Sequence, residues 1–130
     1  MVSGIYAGIL ALIIVWLSFN VIKLRRANKV RLGDGGIPAL QNAIRAQGNA
    51  TEYIPISLIL LVFLELGGIP SWVIHIAGIA LVIGRITHAK GLLSENLRYR
   101  VLGMQFTICT IIALASANTF YSLYKLFSHS

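Results

Sequence analysis

Four long runs of apolar residues divide this 130-residue chain, and polar or charged segments separate them. The runs cover residues 5–22, the second half of a segment from 38 to about 66, residues 69–86 and residues 101–126. A helix needs about 20 mostly apolar residues to cross a bilayer. The pattern therefore predicts an all-α integral membrane protein, a bundle of four transmembrane helices in one domain over residues 1–130.

Glycine and proline mark the predicted connections. Residues 33–36 read Gly-Asp-Gly-Gly and interrupt the helical pattern, and Pro38 suits the first turn of the next helix. Gly67-Gly68 and Pro70 predict a short turn, whereas Pro55 is tolerated as a kink inside a membrane helix. Because no basic residue precedes Lys23, the first run is predicted to be a membrane helix and not a cleaved signal peptide.

Composition agrees with this assignment. The chain is 57% hydrophobic and 12% charged, while a soluble domain usually carries about 25% charged residues. The net charge of +7 is gathered between apolar runs instead of forming a surface stripe, so a nucleic-acid partner is not expected. The single cysteine, Cys109, lies in an apolar run, and no His, Cys or acidic cluster has the spacing of metal ligands.

The basic residues indicate an orientation. In the predicted topology ten of the 11 Lys and Arg residues lie at one end of the bundle, and only Lys125 lies at the other. The ten are Lys23, Arg25, Arg26, Lys29, Arg31, Arg45, Arg85, Lys90, Arg98 and Arg100. Cytoplasmic loops carry such an excess. In a bacterial inner membrane the two basic loops are therefore expected in the cytoplasm, with both termini on the opposite side.

Polar residues inside the second helix are the most informative feature. Gln41, Arg45, Asn49 and Glu52 are spaced four, four and three apart and share one helix face. Ionisable groups at membrane depth usually face a bundle interior or a wet cavity. Two readings stay open from these residues alone: a ligand site, or structural pairing with other helices. Arg45 and Glu52 are two turns apart and neutralise each other only in part.

Two further patches lie at the same end. Arg85 and His88 are three residues apart at the end of the third helix, and Arg98-Tyr99-Arg100 precedes the fourth. Together the patches predict a cationic pocket with one carboxylate. Guanidinium groups hold carboxylates through charge-assisted hydrogen bonds, and a carboxylate holds an amine. The predicted ligand thus carries carboxylates and a free amine, and the chain has no catalytic triad, phosphate loop or nucleotide fingerprint.

Residues 45–55, Arg-Ala-Gln-Gly-Asn-Ala-Thr-Glu-Tyr-Ile-Pro, carry a resemblance. They resemble the helix-two signature Arg-Ala-x-x-Asn-x-x-Glu, often followed by Tyr-x-Pro, of the MAPEG family (membrane-associated proteins in eicosanoid and glutathione metabolism). Length, four helices, the basic first loop and Gly84-Arg85 with His88 look similar too. The resemblance implies a homotrimer that binds glutathione between neighbouring protomers, as co-substrate for a transferase or peroxidase acting on hydrophobic electrophiles, in detoxification.

The resemblance also implies residue roles. Arg98 looks like the arginine that stabilises the glutathione thiolate, with Arg100 as the alternative. Contacts to glutathione are implied for Arg45, Asn49, Glu52, Tyr53, Arg85, His88, Arg100 and, in a looser register, Arg25 or Arg26.

Three departures from the family pattern argue against a leukotriene or prostaglandin substrate. Leu92 stands where several members have tyrosine, Gln41 replaces a frequent acid, and Arg98 is one residue closer to Arg85 than in some members. A non-catalytic protein that binds a lipid or thiol is the alternative function. A small multidrug transporter is disfavoured, because the first helix lacks the carboxylate that couples protons.

Overall fold

The chain folds into four helices, which a computed structural model describes over residues 1–129. They are α1 (Ser3–Asn28), α2 (Pro38–Leu66), α3 (Ser71–Leu93) and α4 (Leu97–Ser128). Each is long and apolar enough to cross a membrane. Large apolar side chains such as Leu12, Phe63, Trp72 and Ile112 are exposed on the outside of the bundle, as lipid-facing residues are. The predicted all-α architecture of four membrane helices is confirmed.

Three helices run further than the apolar pattern predicted. Helix α1 includes Lys23–Asn28 and ends where Lys29 adopts a left-handed conformation, with φ of 54°. Helix α3 continues to Leu93, seven residues beyond the predicted end, and α4 starts at Leu97, so Arg98–Arg100 form its first turn. Polarity decides where a helix leaves the bilayer, but only backbone geometry and capping end it. The Asn96 side chain caps α4 by accepting from the Tyr99 amide at 3.2 Å.

Polar contacts show which helix ends lie together. The Glu65 carboxylate, near the end of α2, accepts from the backbone amides of Val2 at 2.7 Å and Ser3 at 3.0 Å. The Tyr121 hydroxyl of α4 donates to the Gly67 carbonyl. The start of α1 and the Tyr121 turn of α4 therefore lie beside the α2–α3 turn. At the opposite end Asn42 donates to the Glu95 carboxylate at 3.2 Å, which places the start of α2 beside the α3–α4 turn.

Helices α3 and α4 form the closest pair, because glycines line their contact. A methyl group on Gly103 would lie 2.6 Å from the Gly84 carbonyl oxygen and would also overlap the His88 backbone. One on Gly91 would lie 2.7 Å from the Arg100 Cα. Small residues allow such backbone approach in membranes, where packing drives helix association. This contact fixes the start of α4 against the end of α3.

Gly103→Ala should therefore separate α3 from α4. Since the clash is with backbone atoms, which cannot rotate away, we expect a loss of about 1–3 kcal/mol of stability. Thermal loss of helical circular dichroism in detergent measures it. The matched control is Gly8→Ala in α1, where an added methyl meets nothing within 4 Å. Equal melting of both variants would show that the α3–α4 contact is looser than described.

Candidate functional site

Helix α2 has two faces of opposite character. Its buried residues include Ala43, Ala46 and Ala50, which pack toward the other helices of the same chain. At about 100° per residue, Arg45 and Glu52 fall on nearly the opposite side of the helix. Their side chains are 55% and 57% exposed, and Arg45 Nη1 lies 3.6 Å from Glu52 Oε1. This distance is too long for a strong hydrogen bond, so each side chain neutralises the charge of the other only in part.

The position of Glu52 makes this exposure informative. Fourteen residues separate Glu52 from each end of α2, Pro38 and Leu66. An ionised group near the middle of a spanning helix is costly against lipid. Within one chain, therefore, Arg45 and Glu52 do not face the bundle interior.

Arg85 lies on the inner side of the same region and is 3% exposed. Its Nη1 donates to the Asn49 Oδ1 at 2.6 Å and its Nε donates to the Thr107 hydroxyl at 3.1 Å. The guanidinium carbon lies 5.7 Å from the centre of the Tyr53 ring. One buried cation thus joins α2, α3 and α4. It holds Asn49 and Tyr53, two predicted ligand contacts, in one arrangement.

His88 is the second buried polar residue of α3, at 4% exposure. It lies one turn beyond Arg85, where Gly103 of α4 packs against its backbone. His88 is thus part of the same close α3–α4 contact that holds Arg85.

Arg98 and Arg100 point in different directions. Counting from the buried Gly103, helical geometry rotates Arg100 by about 60° and Arg98 by about 140°. Arg100 lines a cavity of about 230 Å³ with Asn42, Leu92 and Glu95. Arg98 is exposed, on a side of α4 that lies farther from Gly103. One chain therefore groups Arg100, but not Arg98, with the α2 and α3 residues.

Arg25 lies apart from that group. Its Nη1 donates to the Gly33 carbonyl at 2.7 Å, within the loop that follows α1. Two positions that depart from the family pattern are also placed: Gln41 is exposed on the outer face of α2, and Leu92 is buried. The structure thus places Arg45, Asn49, Glu52 and Tyr53 of α2 in the same region as Arg85 and His88 of α3, with Arg100 beside the end of α3.

Two residues that hold this group, Thr107 and Met104, were not predicted from the sequence. Thr107 accepts from Arg85 and donates to the Gly103 carbonyl at 2.9 Å, and the Met104 sulfur lies 3.5 Å from Arg85 Nη2. A signal was present, because Gly103 and Thr107 are small residues four apart, the spacing of a close helix contact in membranes. It does not reveal that an arginine is the partner.

Comparisons with known proteins cover nearly the whole chain. The sequence model of the MAPEG family matches residues 3–120. The chain is 43% identical over 126 residues to "Inner membrane protein YecN" of Escherichia coli strain K12, a match that spans 97% of this chain and 96% of that protein. YecN of E. coli O6:H1 strain CFT073 matches at the same identity and coverage. These matches confirm the resemblance noted at residues 45–55.

Proposed function

The chain belongs to the MAPEG family, and from that membership we propose that it is a membrane-bound glutathione transferase or peroxidase. The observation that carries the proposal is the exposed Arg45–Glu52 pair on α2, beside Asn49 and Tyr53. Glutathione carries two carboxylates and one amine. Its charges match a site that offers guanidinium groups and a single carboxylate.

Binding exchanges partners within the pair. Arg45 turns from Glu52 to a glutathione carboxylate, and Glu52 accepts from the ammonium group. Because the starting pair is loose and exposed, little is lost when it opens. The bound ligand supplies charge-assisted hydrogen bonds of about 1.5–3 kcal/mol each. A ligand that lacks either charge leaves one partner unmatched, so the site selects a zwitterion.

The outward face of α2 supports a homotrimer. Glu52 sits at the middle of a spanning helix with its side chain 57% exposed. A neighbouring copy that covers this face removes the carboxylate from lipid and encloses the ligand between protomers. Arg98, which is also exposed, then acts at a site shared between protomers, in keeping with the family arrangement.

Arg85 and His88 support the site from inside. Arg85 is buried and donates to Asn49 and Thr107. We therefore propose that its main role is to position Asn49 and Tyr53 for the ligand. Within residues 1–129 no carboxylate forms an ion pair with Arg85, because Glu52 pairs with Arg45. The uncompensated charge adds to the attraction of an anionic ligand.

Arg98 is proposed to activate the thiol. A free thiol has a pKa near 8.5, and an adjacent cation favours the thiolate. The thiolate attacks an electrophilic carbon, a carbon–sulfur bond forms, the leaving group departs with its electron pair and the thiol proton passes to solvent. Arg100 is the alternative cation, favoured by its place among the α2 and α3 residues.

The proposed location is a bacterial inner membrane, because the E. coli relative is named an inner membrane protein. The basic segments share one end of the bundle, and the positive-inside rule puts that end in the cytoplasm. Glutathione would reach the site from that side, and the hydrophobic electrophile or lipid would arrive through the bilayer.

A non-catalytic thiol-binding protein is the second candidate. It is favoured by one observation: the binding residues are grouped within a chain, whereas Arg98 is not among them. Conjugation of a chlorodinitrobenzene-type electrophile by the purified protein separates the two. Binding of glutathione without conjugation supports the second candidate, and conjugation supports the first.

Glu52→Gln should weaken glutathione binding by about 10- to 100-fold, since a neutral amide replaces the acceptor of one charge-assisted bond. Calorimetric titration of the purified protein measures the dissociation constant. Asp34→Asn is the matched control, because it also removes one carboxylate but lies in the loop after α1, where its side chain accepts from Gly36. Failure of the unaltered protein to bind glutathione would overturn the proposal.

A further inference from the structure

The end of α1 and the loop after it form a basic surface that lies apart from the α2 and α3 group within one chain. We propose that this surface binds the phosphate headgroup of an anionic phospholipid. The surface, here called the basic cradle, is lined by Ile22, Arg25, Arg26, Lys29, Val30 and Arg31 around a cavity of about 520 Å³.

Hydrogen bonds and packing within the chain fix the shape of the cradle, unlike that of a flexible basic tail. The Val30 amide donates to the Arg25 carbonyl at 3.0 Å and closes the end of the helix. Arg25 Nη1 donates to the Gly33 carbonyl at 2.7 Å and ties the loop back to α1. Val30 packs so closely on Gly35 that an added methyl there would lie 2.8 Å away. A preformed site loses less entropy when a ligand binds.

The cations of the cradle are available to a ligand. Arg26, Lys29 and Arg31 are exposed, and within residues 1–129 the only carboxylate paired with a lysine or arginine is Glu52, on another helix. Asp34, the nearest acid in the chain, accepts from the Gly36 amide at 2.8 Å. Four basic residues thus surround one cavity without a counter-charge. This arrangement calls for a multiply accepting anion such as phosphate.

The position of the cavity along α1 and its apolar lining residues favour a lipid over a free anion as the ligand. Helix α1 has 26 residues, about 39 Å, against a hydrocarbon core of about 30 Å. Its last turns therefore reach headgroup depth. Ile22, which is 44% exposed, and Val30 give the cavity an apolar floor that suits the start of an acyl chain. Basic clusters directly beside a spanning helix attract anionic lipids.

Native mass spectrometry of the purified protein with phosphatidylglycerol, phosphatidylcholine or inorganic phosphate tests the proposal. The variant is Lys29→Gln with Arg31→Gln, which leaves Arg25 to hold the loop and spares Arg26, for which the family resemblance implies a contact to glutathione. The matched control is Lys90→Gln with Lys125→Gln, which removes the same charge elsewhere. We expect preferred retention of phosphatidylglycerol, an affinity about 25-fold lower in the variant because each basic residue contributes roughly fivefold, and wild-type affinity in the control.

Three outcomes would overturn the basic cradle. The first is an equal loss of phosphatidylglycerol affinity in the variant and in the control. The second is equal retention of phosphatidylglycerol and phosphatidylcholine. The third is displacement of phosphatidylglycerol by inorganic phosphate at equal concentration. The last would assign the cavity to a free anion. Since neither substitution touches the α2 or α3 group, glutathione titration of the same variant keeps this test separate from the proposed enzymatic function.

Discussion

Arg85→Ala is expected to lower the free energy of unfolding by about 2–4 kcal/mol and to weaken glutathione binding at the same time. The substitution leaves Asn49 and Thr107 without their donor at 2.6 and 3.1 Å, and a buried acceptor that loses a charged donor costs about 1.5–3 kcal/mol. It also frees Tyr53, whose ring lies under the guanidinium. Thermal loss of helical circular dichroism and calorimetric titration with glutathione measure the two effects.

The size of the effect depends on burial, which a control on the same helix tests. Lys90→Ala removes an exposed cation of α3 and should leave both measurements unchanged. Arg85→Lys keeps the charge but replaces the separate Nε–H and Nη1–H donors of a planar fork with one ammonium group, so it should not reproduce the geometry of both contacts, to Asn49 and to Thr107. We expect it to recover part of the stability and little of the binding. If Arg85→Ala binds glutathione normally, the positioning role is wrong.

Arg98→Ala is expected to reduce turnover about 100-fold with little change in glutathione affinity. Removing one preorganised group that stabilises a reacting anion, here the glutathione thiolate, lowers the rate by about 10²- to 10³-fold. The affinity is held by Arg45, Asn49 and Glu52, which remain. The ultraviolet absorbance of the glutathione thiolate, measured on the purified protein against pH, should move to higher pH in the variant. Conjugation of a chlorodinitrobenzene-type electrophile measures turnover.

Arg100→Ala is the matched comparison, two residues away in the first turn of α4. Arg100 groups with the α2 and α3 residues in one chain, whereas Arg98 faces outward. If Arg100→Ala is inactive and Arg98→Ala is fully active, the activating residue is Arg100 and it works within its own protomer. If Arg98→Ala is inactive, the neighbouring copy completes the site, and mixing Arg98→Ala chains with Arg45→Ala chains should recover part of the activity.

The helix that carries the motif could be predicted from the sequence, because the residues of the motif are local. Arg45, Asn49 and Glu52 are three and four residues apart, so any helix places them on one side. Tertiary structure added the side they face. Arg45 and Glu52 point away from their own chain, whereas Asn49 reaches the buried Arg85. The alanines at 43, 46 and 50 take the inner side of α2. A periodic pattern describes one helix face, and a neighbouring helix decides whether that face is inside.

The role of Arg85 illustrates what spacing alone does not reveal. Its distance of three residues from His88 fits a ligand site and a structural site equally well. The decisive contacts come from Asn49, 36 residues before it, and Thr107, 22 residues after it. Such partners meet only when glycines at 84, 91 and 103 bring α3 and α4 together.

By itself, the sequence determined the four membrane helices, the end of the bundle that holds the positive charge and the polar stripe of α2. Each of these depends on properties that act along a single segment, namely hydrophobic length, charge and helical period. Only tertiary structure decided that Arg85 is buried, that Arg45 and Glu52 face outward, that Arg98 and Arg100 diverge, and that the loop after α1 folds into a cradle. Those outcomes depend on contacts between segments distant in sequence, whose geometry is set by packing and not by local pattern.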